Sequence, residues 1–385
     1  MHIASADGHP NNASLSDGQL MATLTPTQVE TALAAYKDPY LDKTLRDCGA
    51  IADLRVDDRA LTVRVELGYP AAGIVGALRD RLIALLKPIA GERAIDVHVG
   101  WQIAAHKAQR RLPHVAGIRN IVAVASGKGG VGKSTTAVNL ALALEREGAR
   151  VGLLDADIYG PSQGVMLGVA DGTRPEIRDQ KMFVPMKLHG IEAMSMSFLV
   201  DENTPMVWRG PMVSSALQQL LTQTDWSDLD YLIVDMPPGT GDIQLTLSQK
   251  VPVSGAVIVT TPQDIALLDA VKGIEMFRKV EIPVLGIVEN MSVHICQACG
   301  HIEHLFGEGG GAKIAAHYDT VMLGALPLSM AIREHGDAGK PTVAADPDGT
   351  VAQLYRNIAR YMAARLSDQA REQNTAGPII MVSDD

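Results

Sequence analysis

The chain has 385 residues, a formal charge of −10, 46% hydrophobic and 20% charged residues, which suits one large domain plus a small one and excludes wholesale disorder. The acidic balance and an aromatic share of only 4% argue against a sequence-blind surface for nucleic acid or anionic membrane. No apolar run reaches the ~18 residues of a membrane span, and the opening MHIASADGHPNNASLSDGQ lacks a basic stretch followed by an apolar core. Residues 1–24 read as a disordered polar leader. Three cysteines are too few for a disulfide framework and point to a reducing cytoplasm.

A first unit covers residues 25–101. Thr25 is placed to cap a helix with Pro26 at its first position. Ile51–Val56 and Ala60–Leu67 read as strands about the turn Asp57-Asp58, with Leu61, Val63 and Val65 alternating. A helix over 73–86 and a strand over 95–99 complete a small α+β domain, in which Cys48 reads as a small core residue. Residues 102–116, with Lys107, Arg110 and Arg111 ahead of Pro113, read as a linker. From 117 to 367 the runs 121–125, 150–157, 231–235, 255–262, 284–290 and 322–327 are nearly continuously apolar and alternate with helical stretches. That is the pattern of parallel strands covered on both faces. The expected fold is α/β, a mostly parallel, doubly wound sheet with helices on both faces, preceded by the small α+β domain. A last helix over 350–366 leads to a polar acidic tail, 368–385.

Ser126-Gly-Lys-Gly-Gly-Val-Gly-Lys-Ser-Thr135 fits G-x-x-x-x-G-K-[ST] between an expected strand and an expected helix. Its nucleotide-binding set is Gly127, Lys128, Gly129, Gly130, Val131, Gly132, Lys133, Ser134 and Thr135. The glycines let backbone N–H groups curl around phosphates at a helix N-terminus. Lys133 would reach the β- and γ-phosphates of ATP, and the Ser134 hydroxyl would ligate Mg²⁺. Lys128 is a second lysine at the front of the loop; taken alone it could be a solvated loop residue.

Two carboxylate groups follow. Asp155 and Asp157 stand at i and i+2 at the end of an expected strand, where they would emerge on one face beside the phosphates. Asp157 is the candidate for orienting the attacking water and Asp155 for the Mg²⁺ shell, with helix capping as the plainer role for either. Asp235, after four apolar residues, has a Walker B pattern and also falls near Mg²⁺. The segment Pro237-Pro-Gly-Thr-Gly241 makes a stiff turn whose Gly239 or Gly241 N–H could sense a γ-phosphate, and Asp242 is expected to cap the next helix.

Cys296 and Cys299, with Gly300 after them, form a knuckle able to aim two sulfurs at one metal. Completing a single-chain zinc site with His301 and His304 would need an unusually cramped ligand spacing. Two knuckles facing across a two-fold axis would instead supply the four thiolates of a [4Fe–4S] cluster.

With these residues in view, 117–366 resembles the Mrp/ApbC-type iron–sulfur cluster carrier ATPases of the MinD/ParA-like superfamily. The matching segments are SGKGGVGKST, LLDADIYGPS, the Trp208–Pro211 turn, DMPPGTGD, TTPQD, ENMS and the Cys-x-x-Cys loop. The K-G-G-x-G-K-S-T loop is similar to that superfamily's deviant Walker A motif, which implies that Lys128 reaches the nucleotide of a partner subunit. The resemblance also implies slow ATP hydrolysis, Asn290 near adenine, a labile cluster shared by a homodimer, a scaffold as cluster donor and apo iron–sulfur proteins as acceptors. Residues 25–101 resemble the MIP-type iron–sulfur assembly domain, but Gly68-Tyr-Pro-Ala-Ala-Gly73 lacks the cysteine that relatives can carry there. Gln297 stands where the family's knuckle more often has proline.

The rival reading is a MinD/ParA-like positioning or regulatory ATPase with a structural zinc knuckle. The acidic end of the chain, Ser367 to Asp385, speaks against the basic membrane- or DNA-binding surface such a protein needs. A reductase of the nitrogenase iron-protein kind would take its cysteines from two loops, not one knuckle.

Overall fold

The structure is a computed structural model that describes residues 24–106, 112–179, 181–198, 210–296 and 298–375. Residues 1–23 of the expected leader, 107–111 of the linker, Trp208 and Arg209, Gln297, and 376–385 of the tail lie outside the described residues.

The small domain opens with α1 (Pro26–Leu33), started by a capping box in which Thr25 accepts the N–H of Gln28 and the Gln28 side chain accepts the N–H of Thr25. Strands β1 (Ile51–Val56) and β2 (Ala60–Leu67) pair antiparallel around a turn closed by the Asp57 carboxylate, which accepts the N–H groups of Arg59 and Ala60. Then α2 (Val75–Ala90) crosses over to β3 (Ala94–Trp101), parallel to β2.

The large domain follows as β4 (Ile118–Ala125), α3 (Lys133–Arg146), β5 (Val151–Asp155) and the one-turn helix α4 (Gln163–Met166). A ribbon of β6 (Ile177–Arg178) and β7 (Met182–Phe183), then β8 (Met186–Leu188) and β9 (Ile191–Ser195), precede α5 (Gly210–Thr222) and β10 (Leu229–Asp235). The chain continues through α6 (Asp242–Lys250), β11 (Gly255–Thr260), α7 (Asp264–Lys279) and β12 (Val284–Glu289). A short hairpin of β13 (His294–Ile295) and β14 (Ile302–Glu303) leads to α8 (Gly310–His317), β15 (Met322–Ala325), α9 (Met330–Asp337), α10 (Thr342–Ala345) and α11 (Thr350–Thr375).

Eight strands form one sheet in the order β15-β12-β11-β4-β10-β5-β9-β8, parallel throughout except for β8, which runs antiparallel at the edge. The period-two geometry of a strand explains the continuous apolar runs. Val122, Val124, Tyr231 and Ile233 enter one core with Leu140 of α3 and Met362 of α11. Ile121, Ala123, Leu232 and Val234 enter the other with Leu217 of α5 and Phe277 of α7. Because crossovers place the C-termini of the parallel strands at one end, Ala125, Asp155, Asp235 and Glu289 converge there.

The first core does not stop at the domain boundary. Val29, Leu61 and Leu82 of the small domain belong to the same cluster as Tyr355 and Met362. At its polar centre the fully buried Glu147 carboxylate accepts Arg356 Nε at 2.6 Å, Arg360 Nη1 at 3.0 Å and the Gly73 N–H at 2.9 Å. Removing one member of a buried ionic group strands the others. Glu147→Ala is therefore expected to cost about 3–5 kcal/mol in denaturant unfolding; a loss below about 1 kcal/mol would show the group to be dispensable.

Helix α11 runs to Thr375, well past the expected end at 366. No Gly or Pro interrupts the sequence before Gly377, and Lys43 of the small domain holds the extension through ion pairs to Asp368 (2.8 Å) and Glu372 (3.0 Å). The start of the linker is also anchored. The His106 N–H donates to Asn120 Oδ1 of β4 at 3.1 Å, and Asn120 Nδ2 donates to the Ala104 carbonyl.

Candidate functional site

Between β4 and α3 the loop turns through Gly130 (φ +81°) and Gly132 (φ +84°), the latter capping α3. A Cβ at Gly127 would sit 1.9 Å from the Asp269 carbonyl oxygen, and one at Gly132 would sit 2.1 Å from Asn290 Nδ2. Both positions therefore demand glycine. Gly129 and Lys128 are exposed, and Lys128 makes no ion pair with the described residues. Val131 is buried, and Thr135 is half-buried with its hydroxyl 3.9 Å from Met166 Sδ of α4.

Lys133 is 6% exposed; its Nζ pairs with the Asp235 carboxylate and donates to Ser134 Oγ at 3.0 Å. Asp235 and Asp155 are direct neighbours in the register of β10 and β5, so two buried carboxyls stand side by side. Burial first, and the Asp235 charge second, push the Asp155 carboxyl up to about 7. It is held by the N–H groups of Asp157 (3.1 Å), Ser162 (3.0 Å) and Gln163 (3.1 Å) and by Ser195 Oγ (3.1 Å).

The strand ends at Asp155, two residues sooner than expected, so Asp157 lies in the following loop and does not share a strand face with it. The reason is local: the Asp155 carboxylate folds the chain back by taking the Asp157 N–H. Asp157 is itself buried and accepts the Gly160 N–H at 3.2 Å; burial raises its carboxyl while the Lys133 charge opposes the rise.

A raised Asp155 binds its proton more tightly in the folded chain than in the unfolded one. Stability should thus fall as pH climbs from about 4 to about 7. Asp155→Asn should flatten that slope in thermal unfolding followed across this range. A slope identical to that of the unsubstituted chain would mean that Asp155 titrates normally.

Gln163 is a site residue that carries no sequence signal. From a four-residue helix its Nε2 donates to Asp235 Oδ2 at 2.8 Å and to the Ser134 carbonyl at 3.0 Å, bridging the phosphate loop to the β10 carboxylate. Its Oε1 and Ser162 Oγ are buried with no hydrogen-bond partner among the described residues. Such a set of hard oxygens (Ser134, Asp155, Asp235, and the unused Gln163 Oε1) fits Mg²⁺ and its water shell.

Two details of the DMPPGTGD turn differ from expectation. The Gly239 N–H donates to the Ser126 carbonyl at 2.9 Å, tying this turn to the phosphate loop, so in this conformation it is not directed at a ligand. Helix α6 is capped by Gly241, whose extended backbone ends the turn, while Asp242 is the first helical residue. Its charge there meets the positive end of the helix.

Asn290 reaches the phosphate loop from β12. Its buried side chain donates to the Val131 carbonyl at 2.9 Å. Six residues on, the Cys-x-x-Cys knuckle sits at the tip of the β13–β14 hairpin. The Cys296 N–H donates to the His301 carbonyl at 2.9 Å, and the Gly300 N–H, with φ at +72°, donates to the Cys296 carbonyl at 2.8 Å. Hydrogen bonds from the backbone N–H of Cys299, then that of Ala298, and then the Cys299 side chain favour the Cys296 thiolate and lower its pKa. Cys299 is exposed and Cys296 half-buried, while Cys48 is half-buried with its thiol pushed up to about 11 by burial. Among the described residues no three His, Cys, Asp or Glu side chains gather to hold a metal ion, so His301 and His304 do not join the cysteines in a four-ligand set. No described helix is long and apolar enough to cross a membrane.

Comparison with known proteins is consistent with this geometry. The family described as "NUBPL iron-transfer P-loop NTPase" matches residues 117–363, and "Iron-sulfur cluster assembly protein" matches residues 26–99. An iron-sulfur cluster carrier protein of Pseudomonas fragi is 70% identical over 269 residues, covering 70% of this chain and 94% of its own. One from Escherichia coli K12 is 51% identical over 338 residues, covering 88% and 91%. A solved nucleotide-binding protein from Archaeoglobus fulgidus, in complex with ADP, is 36% identical, with a TM-score of 0.52, covering 58% of this chain and 88% of that one.

Proposed function

We infer what this site does from one premise: the chain belongs to the NUBPL iron-transfer P-loop NTPase family, and its curated relatives are iron–sulfur cluster carriers. It is an iron–sulfur cluster carrier with a nucleotide-binding P-loop. The finer reading is that ATP with Mg²⁺ binds at Gly127–Thr135 and is slowly hydrolysed. Lys133 holds the β- and γ-phosphates, Asp157 orients the water, and Lys128 acts on the partner subunit's nucleotide. Mg²⁺, held by Ser134 with Asp155 and Asp235 behind its waters, would supply charge neutralisation at the phosphates.

The observation that carries the cargo side is the knuckle. It presents two cysteine sulfurs at a hairpin tip, one of them exposed, and no third ligand from the described residues stands beside them. A [4Fe–4S] cargo needs four, which a homodimer would provide on its axis. A cluster held at such a surface can be received from an assembly scaffold and surrendered to an apo-protein of stronger chelation, in a reducing cytoplasm. The small domain, without a cysteine in its Gly68–Gly73 loop, serves docking in this reading. The positioning-ATPase reading gives way to the carrier names of relatives that share most of the chain.

Anaerobic reconstitution tests it. The expected product is a dimer with about four iron and four sulfide, which passes its cluster to an apo-acceptor. A monomer with about one zinc would overturn the bridging arrangement.

A further inference from the structure

Strand β12 reads Val-Leu-Gly-Ile-Val-Glu, five apolar or small residues and then a carboxylate only 3% exposed. Glu289 Oε2 accepts the N–H of Gly311 at 2.7 Å, in the first turn of α8. The bond satisfies one of the unpaired donors at that helix end, and the negative charge is favourable there. The fit is close. A Cβ on Gly311 would lie 3.1 Å from the same carboxylate oxygen and 2.8 Å from Met322 Sδ.

The position of this bond in the chain gives it meaning. The segment between Asn290 and Gly310 is the loop that carries Cys296 and Cys299. Glu289 fastens the point where that loop returns to the point where it departs. The next residue, Asn290, fastens the departure point to the phosphate loop through the Val131 carbonyl. Met291 then takes a left-handed backbone (φ +55°), and the Ser292 N–H donates to the Leu326 carbonyl at 2.9 Å, so the exit is tightly constrained. Adjacent residues thus hold the nucleotide loop on one side and both ends of the thiolate loop on the other.

We infer that Glu289 is a positioning residue that couples the phosphate loop to the thiolate loop, by clamping α8 to the strand end that Asn290 ties to Val131. The inference rests on the carrier reading of the knuckle. A nucleotide that shifts the Val131–Asn290 contact moves the backbone of Glu289, and through the Gly311 bond it moves the return of the cysteine loop as well. Coupling of this kind is reciprocal, so a change at the thiolates must also be felt at the nucleotide.

The test uses the full-length, cluster-free chain. Alkylation of Cys296 and Cys299 by iodoacetamide is followed by peptide mass spectrometry with and without Mg-ADP. In the unsubstituted protein the two rates are expected to differ by about fivefold or more. Glu289→Ala should still bind Mg-ADP, since the phosphate loop keeps its groups, but its rate ratio should fall to about one. Glu289→Gln, whose amide oxygen can still accept the Gly311 N–H, should restore most of the dependence, which loss of stability alone would not do. A wild-type ratio in Glu289→Ala, or no nucleotide dependence in the unsubstituted chain, overturns the inference. Should Glu289→Ala fail to fold, hydrogen exchange on the unsubstituted protein decides. Added Mg-ADP must change protection across 292–299 and at Gly311 together, and changes confined to the phosphate loop overturn the coupling. Neither measurement involves iron, so a chain that carries no cluster and a chain that lacks this coupling give different results.

Discussion

Cys296→Ala and Cys299→Ala are each expected to abolish cluster binding, not to halve it. A cluster on the dimer axis draws one thiolate pair from each subunit, so a single substitution removes two of four ligands. Iron and sulfide content after anaerobic reconstitution should fall to background in both variants, and transfer to an apo-acceptor should vanish with it. Cys48→Ala should retain full cluster content, because Cys48 lies in the small domain with its thiol raised by burial and packs against the core. Stable cluster on a proven monomer, or full content in either knuckle variant, would refute the bridging arrangement.

Lys133→Ala should reduce ATP hydrolysis by about 10²–10³-fold, the scale of losing a main charge-stabilising group. Lys133 has two duties that this one change removes. In the proposed reading it supplies charge for the phosphates, and in the structure it pairs with Asp235 next to Asp155 in the sheet. Without it the two buried carboxyls stand side by side with no cation between them. Lys128→Ala should lower turnover yet leave much nucleotide binding intact, since its side chain is exposed and outside the loop's internal contacts. Mixing the two variants tests the trans role, because one hybrid site keeps both lysines. Proven heterodimers without recovered activity would remove it. Hydrolysis by Lys133→Ala at the unsubstituted rate would sink the assignment of the phosphate loop.

What could be read from residues alone followed from signals that are local in the chain. The buried strands announced themselves because parallel strands covered on both faces need apolar residues at every position. The phosphate loop did so because the glycines at 127 and 132 have neighbours within 2.1 Å of any side chain. Thr25 capped its helix as expected, and the Gln28 side chain, three residues on, completes a capping box that was not anticipated. Gln163 was invisible because its partners, Ser134 and Asp235, are 29 and 72 residues away. Glu147 is farther still from its partners, 209 residues from Arg356 and 213 from Arg360, and nothing in its own segment marks it as buried. The extended strand over 150–157 misled because the Asp155 carboxylate, a side chain, terminates the strand from within. Helix α11 outran its expected end because its extension is held by Lys43, a residue of another domain.

The shared core beneath Glu147 has a practical consequence for anyone handling the protein. The two domains are joined by more than a tether, with Val29, Leu61 and Leu82 sealed into the same apolar cluster as Tyr355 and Met362. A protease cut between the domains would break the covalent chain and leave that cluster intact. The two fragments should then elute together from a sizing column and separate only in denaturant. A small domain expressed alone would expose the apolar face that α11 normally covers, and should be prone to aggregation. Truncations meant to ask what the small domain contributes would report that exposure instead, so point substitutions on its outer surface are the sounder tool.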